Sequence, residues 1–291
     1  MCTRVRVHRG SGRTDDLRNG GEVVPTIISG TDAKLNQICW QVRVLVKLGQ
    51  SAIICGGSII GSRTILTAGH CVFAGDLSRF QPDQFTVRIG AMDNRVGAAP
   101  AGCEEDFAVT KVTPHEAYVP TAEGKPLLNS NNDLALLTLA RDIDFAKSKC
   151  ACRLCLEDRV PDTNAQCIAS GVGNQKVNQA PDENIDVVLQ YAELDVKSQT
   201  SAECASSQDS TDDLNLFVCA GGTPRGTSTC QGDSGGPLAC LDANGKFYSA
   251  GVTFFGNTGC PKDGPAHFTK TQAFLAWIRK NADQTDTLSF V

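Results

Sequence analysis

Three short segments carry residues whose types could perform nucleophilic acyl chemistry: His70 in LTAGHC, Asp133 in NNDLALL and Ser234 in CQGDSGGPL. A weak hydroxyl nucleophile needs a base to take its proton and a carboxylate to orient that base. Alone, each segment has a plain structural meaning. A His before a Cys can simply be packed, Asn-Asn-Asp can be a turn, and a glycine-rich stretch can be a flexible loop. Taken in order and with their spacing, the three make a nucleophile, base and orienting acid. The glycines around Ser234 add a mechanical argument. Gly232, Gly235 and Gly236 permit backbone angles closed to other residues, which would expose the hydroxyl and turn N–H groups inward. The N–H groups of Gly232 and Ser234 are then the expected oxyanion donors. His8, His115 and His267 sit in no such context and read as structural.

The elements that must position these residues read as strands. Short β-branched runs alternate with Gly, Asn and Asp turns: QVRVLVKL, SAIICGGSII, RTILTA, FTVRIG, DLALLTL, QCIASGVG, NIDVVLQYAEL, LFVCAGG, PLACL and FYSAGVTFF. Many short strands at moderate spacing predict an all-β sandwich or barrel. One helix is predicted at the end, over 270–281, where Phe274, Trp277 and Ile278 recur at helical spacing. Residues 1–25 are rich in Gly, Arg and Asp with little apolar periodicity and read as a disordered leader.

Composition narrows the function classes. The chain has 291 residues and a formal net charge of −5, so a basic surface for nucleic acid is not expected. No apolar run is long enough for a membrane-spanning helix. The 14 Cys are spread along the chain, and with only four His a zinc cluster is a poor reading. A disulfide framework in an oxidising compartment fits better. The N-terminus carries no apolar h-region, but the cysteines weigh more, and secretion is expected.

These motifs resemble the chymotrypsin/trypsin family of serine proteases. IISGTDA is similar to the family's mature N-terminus; ICGGSII with RTILTAGHC, NNDLALLTL, CIASGVG, FVCAGG, CQGDSGGPL and the closing AWI segment follow in the family's order. The resemblance covers about residues 27–281. It implies two packed six-stranded antiparallel β-barrels with a C-terminal α-helix, a leader over 1–26 and a protease domain over 27–291. It implies catalysis by His70, Asp133 and Ser234 in the cleft between the barrels. It also implies the disulfides Cys55–Cys71, Cys167–Cys240, Cys204–Cys219 and Cys230–Cys260. Cys2, Cys39, Cys103, Cys150, Cys152 and Cys155 are left with many possible pairings. Cys155 occupies the place where chymotrypsinogen-like zymogens tether their leader, which makes Cys2 a candidate partner.

The resemblance further implies an activation switch. A new N-terminus at Ile27 would pair with Asp233 after cleavage, and the expected cut falls after Thr26, where tryptic activators would not act. The pocket for the substrate side chain would be built from Ser228 at its base, Gly256 and Ala266 on its walls and the backbone of Phe254. A neutral Ser228 argues for apolar rather than basic side chains, of Leu, Met or Phe size. Phe254 stands where the family has a Ser whose hydroxyl supports the catalytic Asp, and reduced activity is expected from that exchange. Ala91 stands where calcium-binding relatives have a Glu, so no metal or other cofactor is expected. Glu104, Glu105 and Asp106 read as a solvated loop. Expected partners are protein or peptide substrates, protein inhibitors and an activating protease, with no nucleic acid or membrane, and the chain is expected to be a monomer. The competing reading is a protease-like binding or regulatory protein without turnover.

Overall fold

The computed structural model describes residues 27–34, 36–49, 51–90, 103–121, 131–163, 165–172, 188–205, 213–222, 224–230, 232–256 and 264–290. A two-residue strand, β1 (Thr31–Asp32), leads into β2 (Gln41–Leu48), β3 (Ser51–Ile59), β4 (Thr64–Thr67), β5 (Phe85–Ile89), β6 (Glu105–Pro114) and β7 (Ala135–Leu139). Strands β2 to β7 close into a six-stranded barrel in the order β2-β3-β4-β7-β6-β5. Alternation explains the closure. In β5, Phe85, Val87 and Ile89 are buried while Thr86 and Arg88 face outward, and Val42, Val44 and Val46 of β2 join them inside. Period-two burial of β-branched and aromatic side chains suits a curved, half-buried sheet.

The second barrel uses β8 (Gln166–Gly171), β9 (Gln190–Lys197), β10 (Phe217–Gly221), β11 (Pro237–Leu241), β12 (Phe247–Gly256) and β13 (Pro265–Lys270), with α1 (Ala202–Ala205) before β10. The strands run β9-β10-β13-β12-β11-β8, and β8 returns to pair with β9. All pairings are antiparallel. Strand β1 adds to the outside of β9. The closing helix is α2 (Leu275–Asn281), preceded by a 3-10 turn over Thr271–Phe274, so Lys270 ends a strand rather than starting the helix. Phe274, Leu275, Trp277 and Ile278 pack into the first barrel's core cluster.

Two strands carry little sequence signal. β6 is charged and exposes alternate residues, and β13 opens on a proline and spans only PAHFTK. The expected acidic loop is corrected in part. Glu105 and Asp106 begin β6, where Arg88 donates to both carboxylate oxygens of Asp106 and Arg141 pairs with Glu105.

Disulfides join Cys55–Cys71, Cys167–Cys240 and Cys204–Cys219. Two more settle part of the open pairing: Cys39–Cys152 and Cys103–Cys150. Cys155 and Cys230 are also disulfide-bonded, while Cys2 and Cys260 lie outside the described residues. So do the 1–26 leader, His8 and Ala91. Cys150 and Cys152 both lie in the connection between the barrels, which is therefore stapled twice to the first barrel. The chain after α2 returns to the same connection. The Leu156 N–H donates to the Ser289 carbonyl, and the Ser289 N–H to the Ile60 carbonyl. Asp286 accepts from the Ser62 N–H and hydroxyl, the Arg63 N–H and the Thr64 hydroxyl.

Candidate active site

His70 opens a single 3-10 turn directly after β4, anchored by the disulfide from Cys71 to Cys55 of β3. Asp133 lies just before β7, the neighbour of β4 in the barrel. That pairing brings the two side chains together. The His70 Nδ1 lies 2.7 Å from Asp133 Oδ2, and the His70 backbone N–H donates to Asp133 Oδ1 at 2.6 Å. The carboxylate is fully buried, whereas the imidazole keeps 31% of its side-chain surface exposed. One carboxylate thus fixes both the ring and the backbone of the same histidine.

Burial pulls the His70 pKa down, but the charge of Asp133 and its hydrogen bond outweigh that, and the net shift is upward. Burial and the Asp133 charge push the Tyr118 phenol well above its usual range. From the second barrel, the Thr269 hydroxyl donates to the Asp133 carbonyl at 3.0 Å. Sequence reading missed both neighbours; their only signal would have been the register of β13 and the position of Tyr118 shortly after β6.

Ser234 sits between β10 and β11 on a loop held from both barrels. Its carbonyl accepts from the Gly56 N–H of β3 at 2.7 Å, and the Cys71 Sγ lies 3.7 Å from the same oxygen. Gly235 has φ of +80°, a conformation that favours glycine. A Cβ there would stand 2.3 Å from the Thr67 hydroxyl and 2.6 Å from the Gly56 carbonyl oxygen. The Ser234 loop is therefore packed on the end of β4, next to the turn that carries His70. Within the loop, the Asp233 N–H donates to the Cys230 carbonyl and the Gly235 N–H to Thr253. Gly232, with φ of +95°, and Ser234 flank Asp233.

Asp233 is fully buried and accepts from the Cys230 N–H at 2.9 Å. Ile27 is also fully buried, within the second barrel's core cluster, and the Ile28 N–H donates to the Ser228 carbonyl at 3.0 Å. Ser228 and Ala266 are buried, and Gly256 pairs with Ala266 across β12 and β13. Phe254 is almost fully buried. Its ring packs edge-on against the His70 imidazole, with centroids 6.0 Å apart, and against Phe217 at 6.1 Å. His115 packs on Phe274 and Trp277, and His267 is buried with its ring edge-on to Phe217. Cys55, His70 and Cys71 bring potential metal-ligand atoms close together, but both sulfurs are spent in a disulfide and offer no thiolate.

Comparison with known proteins agrees with this geometry. Residues 27–278 match the Trypsin family. Trypsin-1 of Astacus astacus is 31% identical over 258 residues, covering 88% of this chain and 100% of that protein. The proclotting enzyme of Tachypleus tridentatus is 30% identical over 259 residues, covering 88% of this chain and 66% of that protein, just under two thirds of its length. The solved structure of mouse neuropsin, a serine protease expressed in the limbic system, superimposes with a TM-score of 0.67 at 27% identity, covering 88% of this chain and 99% of that one. The chain belongs to the trypsin family and is a serine endopeptidase.

Proposed function

We propose that the protein hydrolyses peptide bonds through an acyl-enzyme, with Ser234 as nucleophile, His70 as base and Asp133 as the group that orients His70. The observation that carries this reading is the double attachment of His70 to Asp133, by ring and by backbone. With Nδ1–H held by the carboxylate, Nε2 is left as the basic nitrogen. It takes the Ser234 proton as Oγ attacks the carbonyl, and returns it to the leaving amine. The N–H groups of Gly232 and Ser234 stabilise the oxyanion; losing one such donor typically costs about 10²–10³ in turnover. Water then repeats the sequence to release the acyl group.

The preferred substrates have medium to large apolar side chains before the scissile bond. Support comes from the neutral, buried Ser228 and from the Ala266 methyl, which offer no carboxylate to a basic side chain. The protein is made as a zymogen and secreted. Burial of both Ile27 and Asp233 supports a switch in which a freed Ile27 ammonium pairs with Asp233, an arrangement costly to break by about 3–5 kcal/mol. The disulfides support an oxidising compartment, and among the described residues no helix is long and apolar enough to cross a membrane. Its partners are protein substrates, protein inhibitors and an activating protease that accepts Thr26, and it acts as a monomer.

Labelling with an aryl phosphonate or sulfonyl fluoride tests the reading. Modification of Ser234 in material whose N-terminus is Ile27 is expected. No modification of Ser234 after any processing would refute it.

A further inference from the structure

Two rings of the second barrel, Phe254 and Phe217, stack in sequence on the His70 side of the site. Phe254 lies on β12 of the second barrel, while His70 and Asp133 belong to the first. Phe254 is almost fully buried. Its ring meets the imidazole at 68°, in the edge-to-face range, at 6.0 Å. Phe217 of β10 braces it from behind at 6.1 Å, and the His267 ring stands edge-on to Phe217 in turn. Phe217 also pairs in register with Thr269, whose hydroxyl donates to the Asp133 carbonyl. The aromatic pair and the threonine thus brace His70 and the buried Asp133 from the opposite barrel.

We infer that Phe254 is a positioning residue for His70: its ring, backed by Phe217, holds the imidazole in line with Asp133 and keeps solvent from that contact, doing by packing what a hydroxyl donor to the carboxylate would do by hydrogen bonding. This rests on His70 being the catalytic base. The exchange acts on the base in two opposed ways, because burial by the ring lowers the His70 pKa while an undiminished Asp133 charge raises it. A hydroxyl donating to Asp133 would spread the carboxylate's charge and weaken its hold on the imidazole. An apolar ring takes nothing from that charge and keeps the surroundings poorly screened. Among the described residues, the titratable neighbours of His70 are Asp133 and, beyond it, Tyr118 against the same carboxylate; the Cys55–Cys71 pair does not titrate.

The test compares wild type with Phe254→Ala, Phe254→Ser and Phe254→Leu in the full chain. The His70 midpoint is followed by NMR of ¹³C-labelled histidine, assigned by its loss in His70→Gln. Unfolding temperature is measured beside it, and processed material is scored for phosphonate labelling rate against pH. Phe254→Ala and Phe254→Ser are expected to move the His70 midpoint by about half a unit or more and to slow labelling roughly 2- to 10-fold. Phe254→Leu, which refills the space, is expected to stay near wild type. Unchanged midpoints in the Ala and Ser variants, with only a lower unfolding temperature, would make Phe254 a core residue and overturn the inference. The NMR midpoint needs no turnover. Failure of wild type to label would therefore overturn the catalytic reading, while the midpoints still decide the role of Phe254.

Discussion

The Gly56 N–H donates to the Ser234 carbonyl at 2.7 Å, so a strand of the first barrel holds the Ser234 loop of the second. The two segments come this close because Gly56 faces Gly236, and neither carries a side chain. A Cβ on Gly56 would lie 2.8 Å from both the Cα and N of Gly236. Backbone cannot swing aside as a side-chain tip can, so Gly56→Ala must part the two segments. The expected cost is about 1–3 kcal/mol of stability, with a larger loss of activity, because Ser234 shifts relative to His70. Thermal denaturation beside phosphonate labelling checks it. A variant with normal labelling would show that the loop can move without consequence.

Removing the Asp133 charge tests the base. Asp133→Asn keeps the shape but can present an amide to the His70 Nδ1, favouring the wrong tautomer. Turnover is expected to fall by about 10⁴, the general figure for this constellation, with little change in KM. Steady-state kinetics on an apolar peptide substrate measures both.

The pH dependence follows from the raised His70 pKa. Catalysis needs the neutral ring, so the acid limb of kcat/KM should fall above the ordinary imidazole value of about 6.5. Stability runs the other way. A group whose pKa is raised on folding contributes stability that is full below about pH 6.5 and fades as pH rises through the folded value. The stability difference between wild type and His70→Gln is therefore expected to shrink as pH rises above 7. Chemical denaturation at several pH values reads it, and a difference that grows with pH would contradict the sign.

Asp286 should matter for stability without touching the site. Burial pushes its pKa up, but the hydrogen bonds from Ser62, Arg63 and Thr64 outweigh it, and the net shift is downward. Its contribution is then present above about pH 3.9, the unfolded value, and is lost as pH falls through the folded one. Asp286→Ala is expected to cost about 2–3 kcal/mol at neutral pH, roughly 5–10 °C in unfolding temperature. That penalty should narrow in acid. Calorimetry at pH 7 and pH 3 measures it, and labelling of Ser234 should be unchanged.

Much of the fold was legible because its signals are local. LTAGHC and GDSGG set a His or a Ser beside glycines that a turn or close approach demands, NNDLALL joins a polar turn to an apolar run, and β5 and β9 alternate cleanly. What was not legible depends on register. Whether Phe254 points at His70 or away is set by β12's pairing with β11 and β13 and the irregularity between Thr253 and Phe255. The expectation of reduced activity rests on the missing hydroxyl alone, because the ring contact with His70 is visible only once that register is known. The Cys39–Cys152 and Cys103–Cys150 pairs span 113 and 47 residues, and no local pattern announces a partner so distant. Asp286 lies beyond every motif and gains its meaning from a turn more than 200 residues earlier, with separations of 222 to 224.

The core of the first barrel is not made by that barrel alone. Its last strand ends at Leu139, yet Phe274, Leu275, Trp277 and Ile278 pack into its core cluster, and the Ser289 N–H closes onto Ile60. During synthesis the half that emerges first must wait for the final helix, on the order of ten seconds at ordinary elongation rates. Ser234 belongs to the second barrel and His70 to the first, so the proposed nucleophile and its base can meet only after both barrels have been made. A product stalled before the second barrel would carry no assembled site, and the order of translation itself would keep such copies from cutting anything.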